Sequence, residues 1–260
     1  MAVLIKRGRE RVDLFSEMPR GNVLDIPAGG GEQSADLLKI GYKVFLADMF
    51  PLADRNRNLA WCQADANEGF PFRNEIFDYV LSREGVEHLE NQARFIRECA
   101  RVLKPGGKLV LTTPNIMHLG SRLSHFLAGQ RILRRGLVNE VQTLRNVSGG
   151  RFYHGHVFLI DYFRLRYLLR LSGFDKIEVF TDRMSPTSIA FAWVVPILFA
   201  ASKLAIKMSI RKYRKKGLRV PARSVFQEIL THVFSPALLF GKRMIAVAQK
   251  TSSAGDVFRD

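Results

Sequence analysis

The segment VLDIPAGGGEQS, residues 23–34, sets an acid, Asp25, four residues ahead of three consecutive glycines, Gly29, Gly30 and Gly31. A short apolar run that ends in an acid and then glycines describes a strand entering a turn. Its backbone can approach a ligand closely, because glycine has no Cβ and accepts either sign of φ. Three ligand-binding turns compete for the pattern. A phosphate-cradling loop of form GxxxxGK[ST] needs a lysine at its end, and none follows Gly31 before Lys39. A dinucleotide fingerprint GxGxxG needs a glycine where this chain has Ser34, and apolar residues where it has Asp25. There remains an acid at a strand end beside glycines that let the backbone approach a ligand. Asp48 and Asp65 follow apolar stretches further on, and His88, His154 and His156 offer imidazoles suited to general-base work.

The elements that must position these residues alternate in type. Residues 23–26, 42–47, 77–81, 108–113, 176–180 and 243–248 read as strands. Residues 32–40 and 162–171 read as helices, stopped by Gly41 and Gly173, and Phe95, Ile96, Cys99, Ala100 and Leu103 recur at helical spacing. The turn KPGG at 104–107 separates that helix from the next strand. Strands alternating with helices predict βαβ units and a parallel sheet.

A chain of 260 residues suits one large domain with insertions. The net charge of +16 points to nucleic acid, an anionic membrane face or acidic substrates, and says nothing about fold. Cys62 and Cys99 stand alone, without CxxC spacing, which argues against a disulfide framework or a zinc site. No metal is expected. The opening MAVLIKRGRERVDLF has too short an apolar stretch for a signal peptide, so the expectation is a cytoplasmic chain.

Taken in order, the motifs resemble those of class I S-adenosylmethionine-dependent methyltransferases. Asp25-Ile26-Pro27-Ala28-Gly29-Gly30-Gly31 stands where that family has [DE]xGxGxG, with Pro27 replacing the first glycine. CQADANEGFPF (62–72), FDYVLSREGVEHLEN (77–91) and RVLKPGGKLVLTTPN (101–115) match its later segments. The similarity covers residues 20–115 and, more loosely, 156–180. It implies an α/β fold: a Rossmann-like seven-stranded methyltransferase sheet with helices on both faces, plus helical insertions after the fifth and sixth strands. It implies S-adenosylmethionine as cofactor, held by Asp25, Pro27, Ala28, Gly29, Gly31, Asp48, Met49, Asp65, Ala66 and Arg83. In that carry-over Asp48 binds the two ribose hydroxyls and Asp65 the adenine amino group. RFYHGHVFLIDYFRLRYLLRLSGF (151–174) resembles a stretch with a histidine ahead of the helix leading to the sixth strand. That makes His156 the first candidate base, followed by His154 and His88. TPNIMHLGSRLSHFLAGQ (113–130) resembles methyltransferases found with bacterial cell-envelope polysaccharide genes.

The implied division is a core at 1–182 with a cap at about 115–155, an insertion at 183–242, and a last strand and tail at 243–260. The insertion opens with a thirteen-residue apolar run, 189–201, and nine Lys and Arg with no acid follow by residue 223. The run is shorter than the ~20 residues of a membrane span, and Pro196 is expected to interrupt it. Apolar sequence beside a polybasic one predicts a helix lying on an anionic membrane surface. A helix packed on the sheet with a solvated, charged continuation is the alternative. The expected partner is a small-molecule or lipid-linked acceptor, glycan or isoprenoid-type, at the cytosolic membrane face. RNA methylation and a catalytically silent binding module stand as rivals. The cations cluster beside apolar sequence, with Tyr213 the single aromatic among residues 203–223, which disfavours nucleic acid. Oligomeric state is not encoded in these patterns.

Overall fold

The computed structural model describes residues 3–7, 10–51, 59–130, 139, 141, 144–147 and 151–251. Seven strands form one sheet: β3 (Asn22–Asp25), β4 (Lys43–Asp48), β5 (Trp61–Gln63), β6 (Phe77–Arg83), β7 (Leu103–Pro114), β10 (Phe174–Phe180) and β11 (Arg243–Lys250). Their order is β10-β11-β7-β6-β3-β4-β5. The run from β7 to β5 is parallel, and β11 is antiparallel to both of its neighbours. From β3 the chain winds outward to β5, then returns to β6 on the other side of β3. That reversal opens a crevice at the carboxyl ends of β3 and β6, where open α/β sheets bind ligands.

The central strands are covered on both faces, as parallel strands require. Alternation along β3 sends Leu24 into one core with Phe95, Ile96, Leu165 and Leu169, from α2 (Gln92–Val102) and α4 (Tyr162–Leu171). Val23 goes into the opposite core with Leu37 of α1 (Glu32–Lys39), Tyr42 and Tyr79. α3 (Leu119–Ala128) follows β7 as the expected helical cover, and the hairpin β8 (Leu144–Val147) with β9 (Arg151–His154) comes after it. Residues 131–138 of the expected cap lie outside the described residues.

Three features differ from expectation. β1 (Leu4–Arg7) and β2 (Glu10–Asp13) form an antiparallel hairpin where only a basic cluster was foreseen. Ile5 is fully buried, and the Lys6 amide donates to the Thr181 carbonyl at 2.6 Å. The KPGG turn does not end one element and start another, because β7 begins at Leu103 and carries it as a bulge. Leu103 pairs with Phe77 and Lys108 with Tyr79, so five steps on β7 face two on β6. Finally, Pro196 does not interrupt the apolar insertion. It sits in the first turn of α6 (Val195–Lys215), where a missing N–H leaves nothing unsatisfied. Together with the preceding turn this gives a continuous run, Ala192–Lys215, long and apolar enough by length and composition to cross a membrane. The short-run expectation fails because the helix extends through the lysines. α5 (Pro186–Ala190), α7 (Arg223–Val233) and α8 (Pro236–Phe240) complete the insertion.

Candidate active site

A cavity of about 660 Å³ occupies the crevice, within the ~300–1,000 Å³ of small-molecule sites. On one side it is bounded by the glycine turn. Gly29 (φ +57°) and Gly31 (φ +70°) adopt left-handed conformations that disfavour any side chain, and nothing lies within 4 Å of a Cβ built on Gly29. The Ala28 amide donates to the Ala47 carbonyl at 3.0 Å, tying the turn to the end of β4. There Asp48 accepts the Gly29 amide on Oδ2 at 2.7 Å and the Phe50 amide on Oδ1 at 2.8 Å. One carboxylate thereby organises two backbone segments around the cavity.

Pro27, at a cis Ile26–Pro27 peptide, covers Gly85 closely. A Cβ on Gly85 would come within 2.5 Å of the proline ring. The proline in the glycine motif is therefore a packing partner of the loop after β6.

Pro27, Ala28, Gly29, Gly31, Asp48, Met49, Asp65, Ala66, Arg83 and His88 line the cavity. Asp65 also accepts the Asn67 amide on Oδ1 at 2.9 Å. Asp25 does not line it. Its carboxylate is fully buried beneath, accepting from Ser34 Oγ at 2.5 Å and pairing with Arg83 Nη2 at 3.7 Å. Asp25 thus stands beneath the cavity wall, where it faces Arg83.

The three histidines come together, in a different order of merit from the one expected. His88 Nδ1 lies 2.6 Å from the His154 carbonyl, an oxygen that only accepts. Nδ1 must carry the proton, which makes Nε2 the basic nitrogen. His156 meets the His88 ring edge-on at 4.9 Å and does not line the cavity. The His154 ring is engaged by Glu90, Nε2 to Oε1 at 2.5 Å, also away from the cavity. Glu87, His88 and His156 bring potential ligand atoms within 4.8 Å of one another, a set able to hold a cation that sequence spacing did not reveal. Glu84, which the sequence offers as a side chain either structural or catalytic, is on the cavity wall, and sequence reading missed Thr112, Asp182, Arg243, Val3 and Leu4 there. The apolar run at residues 2–5 was the available signal for the last two.

Burial raises the Asp25 and Asp48 carboxyls above the usual range and pulls the Arg83 guanidinium down. Raised carboxyls favour the fold when protonated; that contribution is present below their unfolded values and is lost as pH rises through the folded ones. Asp78, Glu98 and Glu228 are lowered, Glu98 chiefly by Arg101, while for Asp78 and Glu228 ion pairs with Lys104 and with Arg166 and Arg170 outweigh burial. Their stabilisation is present above the unfolded carboxyl range and is lost as pH falls through their folded values. Ligand affinity that needs ionised Asp48 should therefore decline on acidification before the fold melts. Calorimetric titration with S-adenosylmethionine alongside circular dichroism at each pH checks the order.

Residues 24–111, from β3 through most of β7, match the family model described as "Methyltransferase domain". That stretch, about a third of the chain, carries a methyltransferase domain. The chain resembles the ubiquinone biosynthesis O-methyltransferase of Rhizobium johnstonii, at 33% identity over 123 residues, 43% of this chain and 48% of that protein. It also resembles the demethylmenaquinone methyltransferase of Corynebacterium efficiens, at 32% identity over 128 residues, 47% and 54% of the two chains. The chain spans about half the length of the curated relatives it matches. In fold it is similar to a Thermotoga maritima protein described as a SAM-dependent methyltransferase, possible histamine N-methyltransferase. The TM-score is 0.51 at 14% identity, covering 92% of this chain and 86% of that one. The glycine turn and Asp48, both inside the matched stretch, sit where the sheet topology opens its crevice.

Proposed function

We propose that the protein transfers a methyl group from S-adenosylmethionine to a hydroxyl of a small or lipid-linked acceptor, glycan or isoprenoid-type, at the cytosolic membrane face. The observation that carries this reading is the Asp48 carboxylate, which fastens the Gly29 turn to β4 on the wall of one cavity. The residues fit the cofactor: Gly29 leaves open the space a Cβ would take, and Asp48 and Asp65 stand ready for ribose and adenine. Bound there, S-adenosylmethionine supplies a methyl group already activated on a sulfonium. Alignment of the acceptor is the main remaining task. His88 supplies the base: Nε2 takes the hydroxyl proton as the oxygen gains the methyl, while the His154 carbonyl holds the ring's tautomer. Binding of S-adenosylmethionine by calorimetry, then methylation with labelled cofactor across an acceptor panel, tests the reading. A protein that binds none refutes it.

The membrane part rests on α6, which has no buried residue. Leu198, Ser202, Ile206 and Ile210 form its half-buried side, and Phe199 meets Phe234 at 5.0 Å. On the opposite side Trp193, Ile197, Leu204 and Met208 recur at helical spacing, each more than half exposed. Exposed cations, Lys203, Lys207 and the cluster from Arg211 to Lys216, accompany this stripe. Such a face suits anionic lipid, at ~1 kcal/mol per cation near the surface. The parent is expected to float with anionic liposomes at low salt and to be released in part at 1 M salt, where the Debye length is ~3 Å. Changing Arg211, Lys212, Arg214, Lys215 and Lys216 to Gln should weaken flotation by at least tenfold. A parent that ignores anionic liposomes yet binds RNA tightly sinks the membrane assignment.

A further inference from the structure

The cavity carries the opposite charge to the protein. Among the described residues its wall presents four carboxylates, Asp48, Asp65, Glu84 and Asp182, against two guanidinium groups, Arg83 and Arg243, in a chain of net charge +16. Arg83 faces Asp25 from beyond hydrogen-bond distance, at 3.7 Å, whereas Arg243 is committed, forking between Glu84 Oε1 (Nε, 2.9 Å) and Asp182 Oδ2 (Nη1, 2.6 Å). The residues of this second group come from three strand ends: Glu84 just after β6, Asp182 just after β10, and Arg243 opening β11. A second observation marks the same place. Glu84 has φ +47°, a left-handed conformation that a side-chain-bearing residue keeps only under constraint, and its amide is held by the Thr112 carbonyl (2.9 Å) and Oγ1 (3.2 Å).

We infer that Glu84, Asp182 and Arg243 form the acceptor subsite, and that it takes the uncharged, hydroxyl-bearing end of the acceptor. The inference rests on the methyl-transfer reading above. Two carboxylates cross-linked by one guanidinium keep lone pairs for hydroxyl protons and hold a residual negative charge. A carboxylate or phosphate entering there meets like charge, and the guanidinium of the group is already shared between its two carboxylates. Any anionic group of a lipid-linked acceptor therefore stays outside this subsite.

Matched probes test this on the S-adenosylmethionine-loaded protein: catechol against 3,4-dihydroxybenzoate, and methyl α-mannoside against mannose 6-phosphate. The neutral member of a pair should show kcat/KM at least tenfold above its anionic partner. In the Glu84→Gln, Asp182→Asn double variant, cofactor affinity by calorimetry should stay within twofold, while KM for the neutral probe rises about tenfold and the discrimination shrinks. Glu84→Gly relieves the backbone, so its melting temperature should rise while KM also rises; a purely structural Glu84 would not move both in that direction. If the loaded parent methylates neither neutral probe or prefers the anionic ones, the assignment falls. It falls equally if the double variant keeps both KM and discrimination. Failure of the parent to bind S-adenosylmethionine would instead bring down the methyl-transfer reading itself.

Discussion

Asp48→Ala should remove measurable S-adenosylmethionine binding while leaving the sheet folded. On the proposed reading the carboxylate accepts from two ribose hydroxyls, and hydrogen bonds to a charged group contribute ~1.5–3 kcal/mol each. Losing both weakens affinity by about 3 kcal/mol or more, over 100-fold. The variant also frees the Gly29 and Phe50 amides that the two carboxylate oxygens now hold. Asn at this position is no rescue. It has one accepting oxygen, so its amide nitrogen would face an N–H donor at either Gly29 or Phe50. Asp48→Asn should therefore fall nearer to Ala than to the parent in calorimetry. Parent-like binding by both variants would remove Asp48 from the cofactor site. The fold should survive, because a buried carboxylate whose charged form is penalised by desolvation adds little to stability at neutral pH.

The second large effect is expected at His88. His88→Ala should lower turnover by about 10²–10⁴-fold with cofactor affinity unchanged, the usual contribution of a general base. His156→Ala should act only through the orientation of the His88 ring, by about tenfold or less, since an edge-on ring pair contributes ~0.5–1.5 kcal/mol. The pH–rate profile separates the two. His88→Ala should lose turnover at every pH, while His156→Ala keeps far more of it. If His156→Ala has the larger effect on turnover, the ranking reverts to the order read from the sequence.

The physical reason for that change of ranking also divides what was legible in the chain from what was not. Strand positions, the glycine turn and the acid closing β4 follow from local patterns: apolar period, chain reversal at glycine, and an acid at a strand end. These are properties of neighbours in sequence, and the resemblance to class I methyltransferases was carried by them. Pro196 and the KPGG segment misled for a related reason. A proline breaks a helix only inside it, and a glycine turn ends a strand only if the ladder does not resume, as it does at Lys108 opposite Tyr79.

The remaining assignments depend on separations that no local pattern encodes. Asp25 and Asp48 look alike as acids at strand ends, yet Ser34 and Arg83 enclose the first while the second lines the cavity. His88 and His156 are 68 positions apart, and which one lines the cavity is decided by the loop after β6 meeting the end of β9. Glu84, Asp182 and Arg243 become a single group only because β6 and β10 end, and β11 begins, at one side of the sheet. Sequence determined the kind of site, because its backbone geometry is written in adjacent residues. Tertiary structure decided which side chains reach the ligand, because burial and reach are set by strand order.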